Sequence, residues 1–109
     1  MKLVFAIVSN DDGNTVMREL NKAGFSVTKM ASTGGFLRAG NTTLLVGTEE
    51  EQVQSVIDVI EKYSAKRKQI VFSPEPYLGG TVGYTSVPSE VEVGGATIFV
   101  VDVERFEKV

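Results

Sequence analysis

The chain has 109 residues, with 14 acidic and 11 basic side chains and a formal net charge of −3. That length suits a single domain over 1–109 with a core of its own, and the mildly acidic balance argues against wholesale binding to duplex nucleic acid. With neither Cys nor His, the chain has no disulfide, thiolate nucleophile, Cys-bound zinc, serine triad or imidazole base, so any catalysis would rest on carboxylates, Lys or Tyr.

Met1 leads straight into KLVFAIV. This run is too short to span a bilayer and lacks the plan of a signal peptide, so a cytoplasmic protein without membrane attachment is expected. Leu3, Val4, Phe5, Ala6, Ile7 and Val8 are continuously apolar, which predicts a strand over 2–9 covered on both faces. From Asp11 the period lengthens. Val16, Leu20 and Ala23 recur at helical spacing with Met17 alongside, Asp11 and Asp12 suit a helix N-terminus, and Gly24 suits its stop. Residues 25–30 return to a strand.

A second unit follows the same scheme. Residues 41–47 read as a strand, and Thr48-Glu49-Glu50-Glu51 reads as a capping box. Val53, Val56, Ile57 and Ile60 supply the apolar stripe of a second helix. Residues 68–72 form a further strand. Two strand–helix–strand units in series predict an α+β, ferredoxin-like βαββαβ fold. Residues 91–103 add a C-terminal strand, with Gly94-Gly95 as a bulge or bend. Residues 73–90 hold all three prolines and the Gly79-Gly80 pair, and a connection of that length is expected to be functional or disordered. Both helices would cover one sheet face. The other would expose alternating apolar residues of 3–8 and 98–101, a surface that self-association commonly covers.

The candidate site lies in TKMASTGGFLRAGNTTLLVG, residues 28–47. No acid occurs from Leu20 to Thr48, while Lys22, Lys29 and Arg38 do. Gly34-Gly35 can bring successive backbone N–H groups to an anion, or can be only a turn. Thr28, Ser32, Thr33, Thr42 and Thr43 offer hydroxyls to phosphate, though Thr is also common in strands. Phe36 can stack on a base, a contact worth ~1–3 kcal/mol, or pack at a subunit interface, with Leu37 completing an apolar wall. Asn41 can pair its amide with an adenine edge, or can simply open a strand. Arg38 reads as a solvated charge. Lys66-Arg67-Lys68 reads as a solvated strand opening that would favour an anion if it lay beside the glycine loop. Asp11-Asp12 and Glu49-Glu50-Glu51 read as helix N-terminal acids rather than metal ligands.

Taken together, the βαββαβ pattern, TGGFLRAGNTT and the C-terminal VEVGGATIFV resemble the PII-like cyclic di-AMP receptor family over essentially the whole chain. The resemblance implies a homotrimeric, PII-like signal-transduction protein that binds cyclic di-AMP between neighbouring subunits and acts on a downstream protein, with no cofactor and no enzymatic activity. It places the nucleotide-binding positions at Thr28, Gly35, Phe36, Leu37, Asn41 and Gly47. The amides around 35–37 and the Thr28 hydroxyl would hold phosphate, and Asn41 with the Gly47 backbone would read adenine. Phe99 would line the pocket. It also implies a short loop at 32–40 and a long one at 73–90, the reverse of PII proteins. The chain departs from the family pattern at Gly24 and Ser26, where members carry Asn and Arg, and at Lys108, where they favour Gln. Losing an Arg beside a phosphate removes a charge-assisted hydrogen bond worth roughly 1.5–3 kcal/mol, and Lys108 and Lys29 are the candidates to replace it.

Three other readings compete. A PII-type regulator could answer to ATP or ADP, although its short 32–40 loop gives little reach for a target. A small carboxylate or Lys/Tyr enzyme would need a converging acid–base pair, which the spacing does not offer. A structural oligomer would pack Phe36 and Leu37 on a neighbour and bind nothing.

Overall fold

The computed structural model describes residues 1–32, 40–75 and 85–109. In chain order the elements are β1 (Lys2–Ser9), α1 (Asn10–Lys22), β2 (Val27–Ser32), β3 (Asn41–Thr48), a 3-10 turn (Glu50–Gln52), α2 (Val53–Ser64), β4 (Arg67–Glu75), β5 (Thr85–Val93) and β6 (Ala96–Asp102). The main sheet has four strands in the order β2-β3-β1-β6, all neighbours antiparallel. This is the expected α+β, ferredoxin-like arrangement, with both helices against one face.

Strand alternation decides which residues enter the core. Val4, Ala6 and Val8 of β1 and Leu44 and Val46 of β3 are fully buried, together with Val16 and Leu20 of α1 and Val56 and Ile60 of α2. These are the even positions of β1 and β3, which point to one side of the pleat. The helical stripes read from the sequence meet them there, except that Ala23 is the exposed C-cap of α1 and Ile57 is partly exposed and outside the core cluster. The helix ends as Gly24 predicts. Gly24 adopts φ +94°, its N–H donates to the Asn21 carbonyl, and the Phe25 N–H donates to the Leu20 carbonyl, both at 3.0 Å. That pair of bonds is the Schellman closure, and the left-handed backbone it requires is why glycine stands there.

The predicted capping box at Thr48 does not form. A 3-10 turn intervenes, α2 starts at Val53, and the Thr48 hydroxyl donates to Gln52 Oε1 at 3.3 Å. The extra turn carries the Thr–Glu spacing away from the helix N-terminus it was expected to cap.

The larger difference lies after α2. The strand expected at 68–72 does not complete the main sheet. β4 pairs with β5 as a separate antiparallel ribbon, from Arg67↔Val93 to Glu75↔Thr85. Both ends of the segment expected to be an irregular connection over 73–90 are therefore strand. Gly94-Gly95 divides the expected 91–103 strand, and β6 takes the sheet edge beside β1. Composition explains the exchange. Arg67, Lys68 and Gln69 put polar groups on both faces of β4, whereas β6 reads ATIFVVD and seats Ile98 against the core. Gly94 turns the chain back at φ +84°, where an added Cβ would stand 2.7 Å from the Ala65 carbonyl oxygen. The Gly95 N–H donates to the Ser64 carbonyl at the end of α2, so the hairpin leaves and rejoins the body at one point. Among the described residues, no helix is long and apolar enough to cross a membrane.

Candidate functional site

The face of the main sheet away from the helices carries Leu3, Phe5 and Ile7 of β1, Thr43, Leu45 and Gly47 of β3, Thr28 and Met30 of β2, and Phe99 and Val101 of β6, by the same alternation that buries their neighbours. Phe99 is 47% exposed and Val101 41%. One row crosses the whole sheet: Thr28 pairs with Leu45, Leu45 with Phe5, and Phe5 with Phe99. Here the prediction of an apolar outer face is met by named residues.

At one end of this face a groove of about 650 Å³ is bounded by Leu3, Leu45, Ser26, Thr28 and Gly47, with Phe106 and Lys108 of the C-terminal segment on its rim. Its size lies within the usual range for small-molecule sites. Thr28 and Gly47, both predicted site residues, are exposed and share it. Gly47 has no neighbour within 4 Å of an added Cβ, so its backbone is open to approach. Thr28 and Ser26 supply hydroxyls, Gly47 supplies main chain, Phe106 an aromatic surface and Lys108 a cation. The C-terminal segment is held near the groove by the Val103 N–H, which donates to the Met1 carbonyl at 3.1 Å.

Lys29, the other candidate cation, points elsewhere. It donates to Asn14 Oδ1 on α1 at 2.9 Å, since adjacent residues of a strand face opposite ways. Lys66-Arg67-Lys68 is likewise committed: Lys66 pairs with Glu92 at 3.6 Å, Lys68 with Glu90 at 3.8 Å, and Arg67 with Asp12 at 2.7 Å. The cluster read as a solvated strand opening is matched by acids, and Asp12 does more than favour the α1 N-terminus. Its hydrogen bond, the largest cause, raises the Arg67 pKa further above its ordinary value.

Asn41 lies at the opposite end of β3 from Gly47, about 20 Å away at the ~3.4 Å rise of a strand. It is 3% exposed and stands between Ser9 and Ser32 in register. In a single chain it does not share the groove of Thr28 and Gly47. Phe99 is also apart, separated from Thr28 by β3 and β1, about 14 Å at the ~4.8 Å strand spacing. Gly35, Phe36 and Leu37 lie outside the described residues. Sequence reasoning did not pick out Leu3, Leu45 and Phe106 as site residues. The first two were legible in the alternation of β1 and β3, and Phe106 as a lone aromatic within the charged segment VERFEKV.

A family model described as "Cyclic-di-AMP receptor" matches residues 1–109, the whole of the chain. Among solved structures, a protein from Pediococcus pentosaceus ATCC 25745, described as functionally unknown, is 39% identical with a TM-score of 0.78, over 99% of this chain and 96% of that one. On the whole-length match, and with the fold and groove described above, the chain belongs to the cyclic-di-AMP receptor family.

Proposed function

We propose that the protein is a non-catalytic, PII-like sensor of cyclic di-AMP that binds the nucleotide at the seams of a homotrimer and signals to a protein partner through the β4–β5 hairpin. The observation that carries this reading is the meeting of Thr28 and Gly47 in one groove, beside Ser26 and Lys108, in a chain of this family. The Thr28 hydroxyl and the Lys108 ammonium suit a phosphodiester, and the Gly47 backbone suits the polar edge of adenine. Cyclic di-AMP, with two adenines and two phosphodiesters, can engage both ends of such a site.

The geometry also supports self-association. The outer sheet face is apolar along β1 and β6, and Phe99 is too far from Thr28 to serve the same groove within one chain. A neighbouring copy laid on this face would cover the exposed apolar surface and could bring its own Phe99, or its Asn41 end, to the seam. The groove then acquires the walls that one chain leaves open, and the family's binding positions Gly35, Phe36, Leu37, Asn41 and Phe99 act across the boundary. Covered on all sides, the site would use hydrogen bonds to adenine for selectivity, because a guanine would leave buried polar groups mismatched.

Calorimetric titration with cyclic di-AMP, cyclic di-GMP and ATP, beside the Asn41→Ala variant, tests the proposal. Binding of cyclic di-AMP well above the other two, weakened in the variant, is expected. Equal affinity for all three rejects adenine-specific recognition, preference for ATP points to a nucleotide-charge regulator, and an absence of heat with every ligand rejects the sensor.

A further inference from the structure

The start of β3 and the foot of the hairpin are joined through the first turn of α1. The Asn10 N–H donates to the Gly40 carbonyl at 3.2 Å, and the Thr42 hydroxyl donates to Asn10 Oδ1 at 2.7 Å. Two residues further along α1, the Asp12 carboxylate accepts from the Ser9 hydroxyl at 3.0 Å and from both terminal nitrogens of Arg67, at 3.2 Å and 2.7 Å. Thr42 and Asp12 are buried, so one partner of each side-chain bond is held in a fixed place, while Asn10 and Arg67 reach them from the surface. Asn10, Asp12 and Gly13 occupy one helical turn.

At the far end of this chain of contacts, Arg67 is the first residue of β4 and stands opposite Val93. β4 and β5 are hydrogen-bonded as strands only to each other. A two-stranded ribbon with no third strand has little stability or fixed orientation of its own. The chain enters it past Ala65 and leaves it at Gly94-Gly95, both glycines at positive φ. Among the described residues, Arg67–Asp12 is the only ion pair that joins this ribbon to α1. Its bidentate form constrains direction as well as distance.

We infer that the Gly40/Thr42–Asn10–Asp12–Arg67 contacts form a mechanical link through which occupancy beside Asn41 sets the pose of the β4–β5 hairpin. The inference rests on the reading that Asn41, between Gly40 and Thr42, meets the nucleotide. A shift of this short segment on binding displaces the first turn of α1, and the carboxylate on that turn carries the guanidinium with it. Arg67 is thus a positioning residue for the hairpin and does not touch ligand. This explains why a basic residue in an otherwise solvated cluster should pair with a buried carboxylate on a different element.

Amide hydrogen exchange along β4 and β5, with and without cyclic di-AMP, tests the link in the wild type, Arg67→Met and Thr42→Val. In the wild type, ligand should change hairpin exchange by about tenfold, the scale of one bond to a charged group. Arg67→Met should still bind cyclic di-AMP, because Arg67 does not touch ligand, yet lose the hairpin response. Persistence of that response in Arg67→Met overturns the inference, as does ligand binding to the wild type without any hairpin change. If the wild type does not bind, the proposed function fails, and the ligand-free comparison decides the link alone. Thr42→Val should alter exchange at the hairpin foot in the wild-type background but not in Arg67→Met, provided the β1 and β3 amides stay protected; an unchanged foot overturns it.

Discussion

Gly13 of α1 lies directly against Thr42 of β3: a Cβ built on Gly13 would come within 3.0 Å of Cβ, Cγ2 and Oγ1 of Thr42. Thr42 cannot step aside, because it is 4% exposed and its hydroxyl is held by Asn10 at 2.7 Å. Gly13→Ala should therefore destabilise the protein despite the ~1 kcal/mol that alanine gains in a helix. Overpacking costs of ~1–3 kcal/mol leave a net loss of about 1 kcal/mol. Thermal unfolding at fixed protein concentration should show a midpoint lower by several degrees; a higher midpoint would mean that α1 can shift outward.

Gly94→Ala meets a harder obstacle, since the added Cβ would stand 2.7 Å from the Ala65 carbonyl oxygen, 2.8 Å from Arg67 Nη1 and 3.0 Å from the Ser64 carbonyl oxygen. The positive φ adds strain that any side chain would feel. Together these should cost at least about 2 kcal/mol, read as a lower denaturant midpoint, and should loosen the base of the hairpin.

Lys108→Ala should weaken cyclic di-AMP binding by about tenfold, the lower end for an exposed charge-assisted bond, and the loss should shrink at high salt. Lys29→Ala should leave affinity unchanged, because Lys29 is engaged with Asn14 on the helix side of the sheet. Calorimetry on the two variants separates them. The opposite ranking would place the phosphate on the other side of β2.

Lys2 and Asp102 are hydrogen-bonded as well as ion-paired. Their hydrogen bond is the largest cause of the Lys2 pKa rising above its ordinary value and of the Asp102 pKa falling below its own. The Asp102 contribution is present above the ordinary aspartate value, about 3.9, and fades as pH falls through its lowered native value. The Lys2 contribution is present below about 10.4 and fades as pH rises through its raised value. The stability difference between wild type and Asp102→Asn should thus be flat across neutral pH and shrink in strong acid. A difference that grows on acidification would show that the pair opposes folding. Both groups are exposed at the surface, so the difference should be small throughout.

Much of this could be read from residue order alone. The apolar run over 2–9 marked the central strand and the segments 3–8 and 98–101 as the source of an apolar outer face, and Gly24 marked the end of α1. The strand that completes the sheet could not be read this way, because 68–72 and 96–102 both carry strand-like residues. The choice depends on which strand can seat an apolar face on the helices, and Ile98 does so where Lys68 and Gln69 cannot. The groove was half legible. Thr28 and Gly47 are close because β2 and β3 pair in one particular register, and Lys108 joins them only through the path of the last seven residues, which follow no periodic pattern. The Asp12–Arg67 pair spans 55 positions, and no local pattern announces a contact of that separation.

Sedimentation velocity of the protein with cyclic di-AMP, followed in the nucleotide absorbance band, is the most direct single test. The chain has no Trp and three Tyr, so nucleotide dominates that signal. Cyclic di-AMP should travel with a homotrimer, whereas cyclic di-GMP in a parallel run should stay in the slow boundary of free nucleotide. A protein that sediments as a monomer, or a trimer that leaves the nucleotide behind, would contradict a site shared between copies.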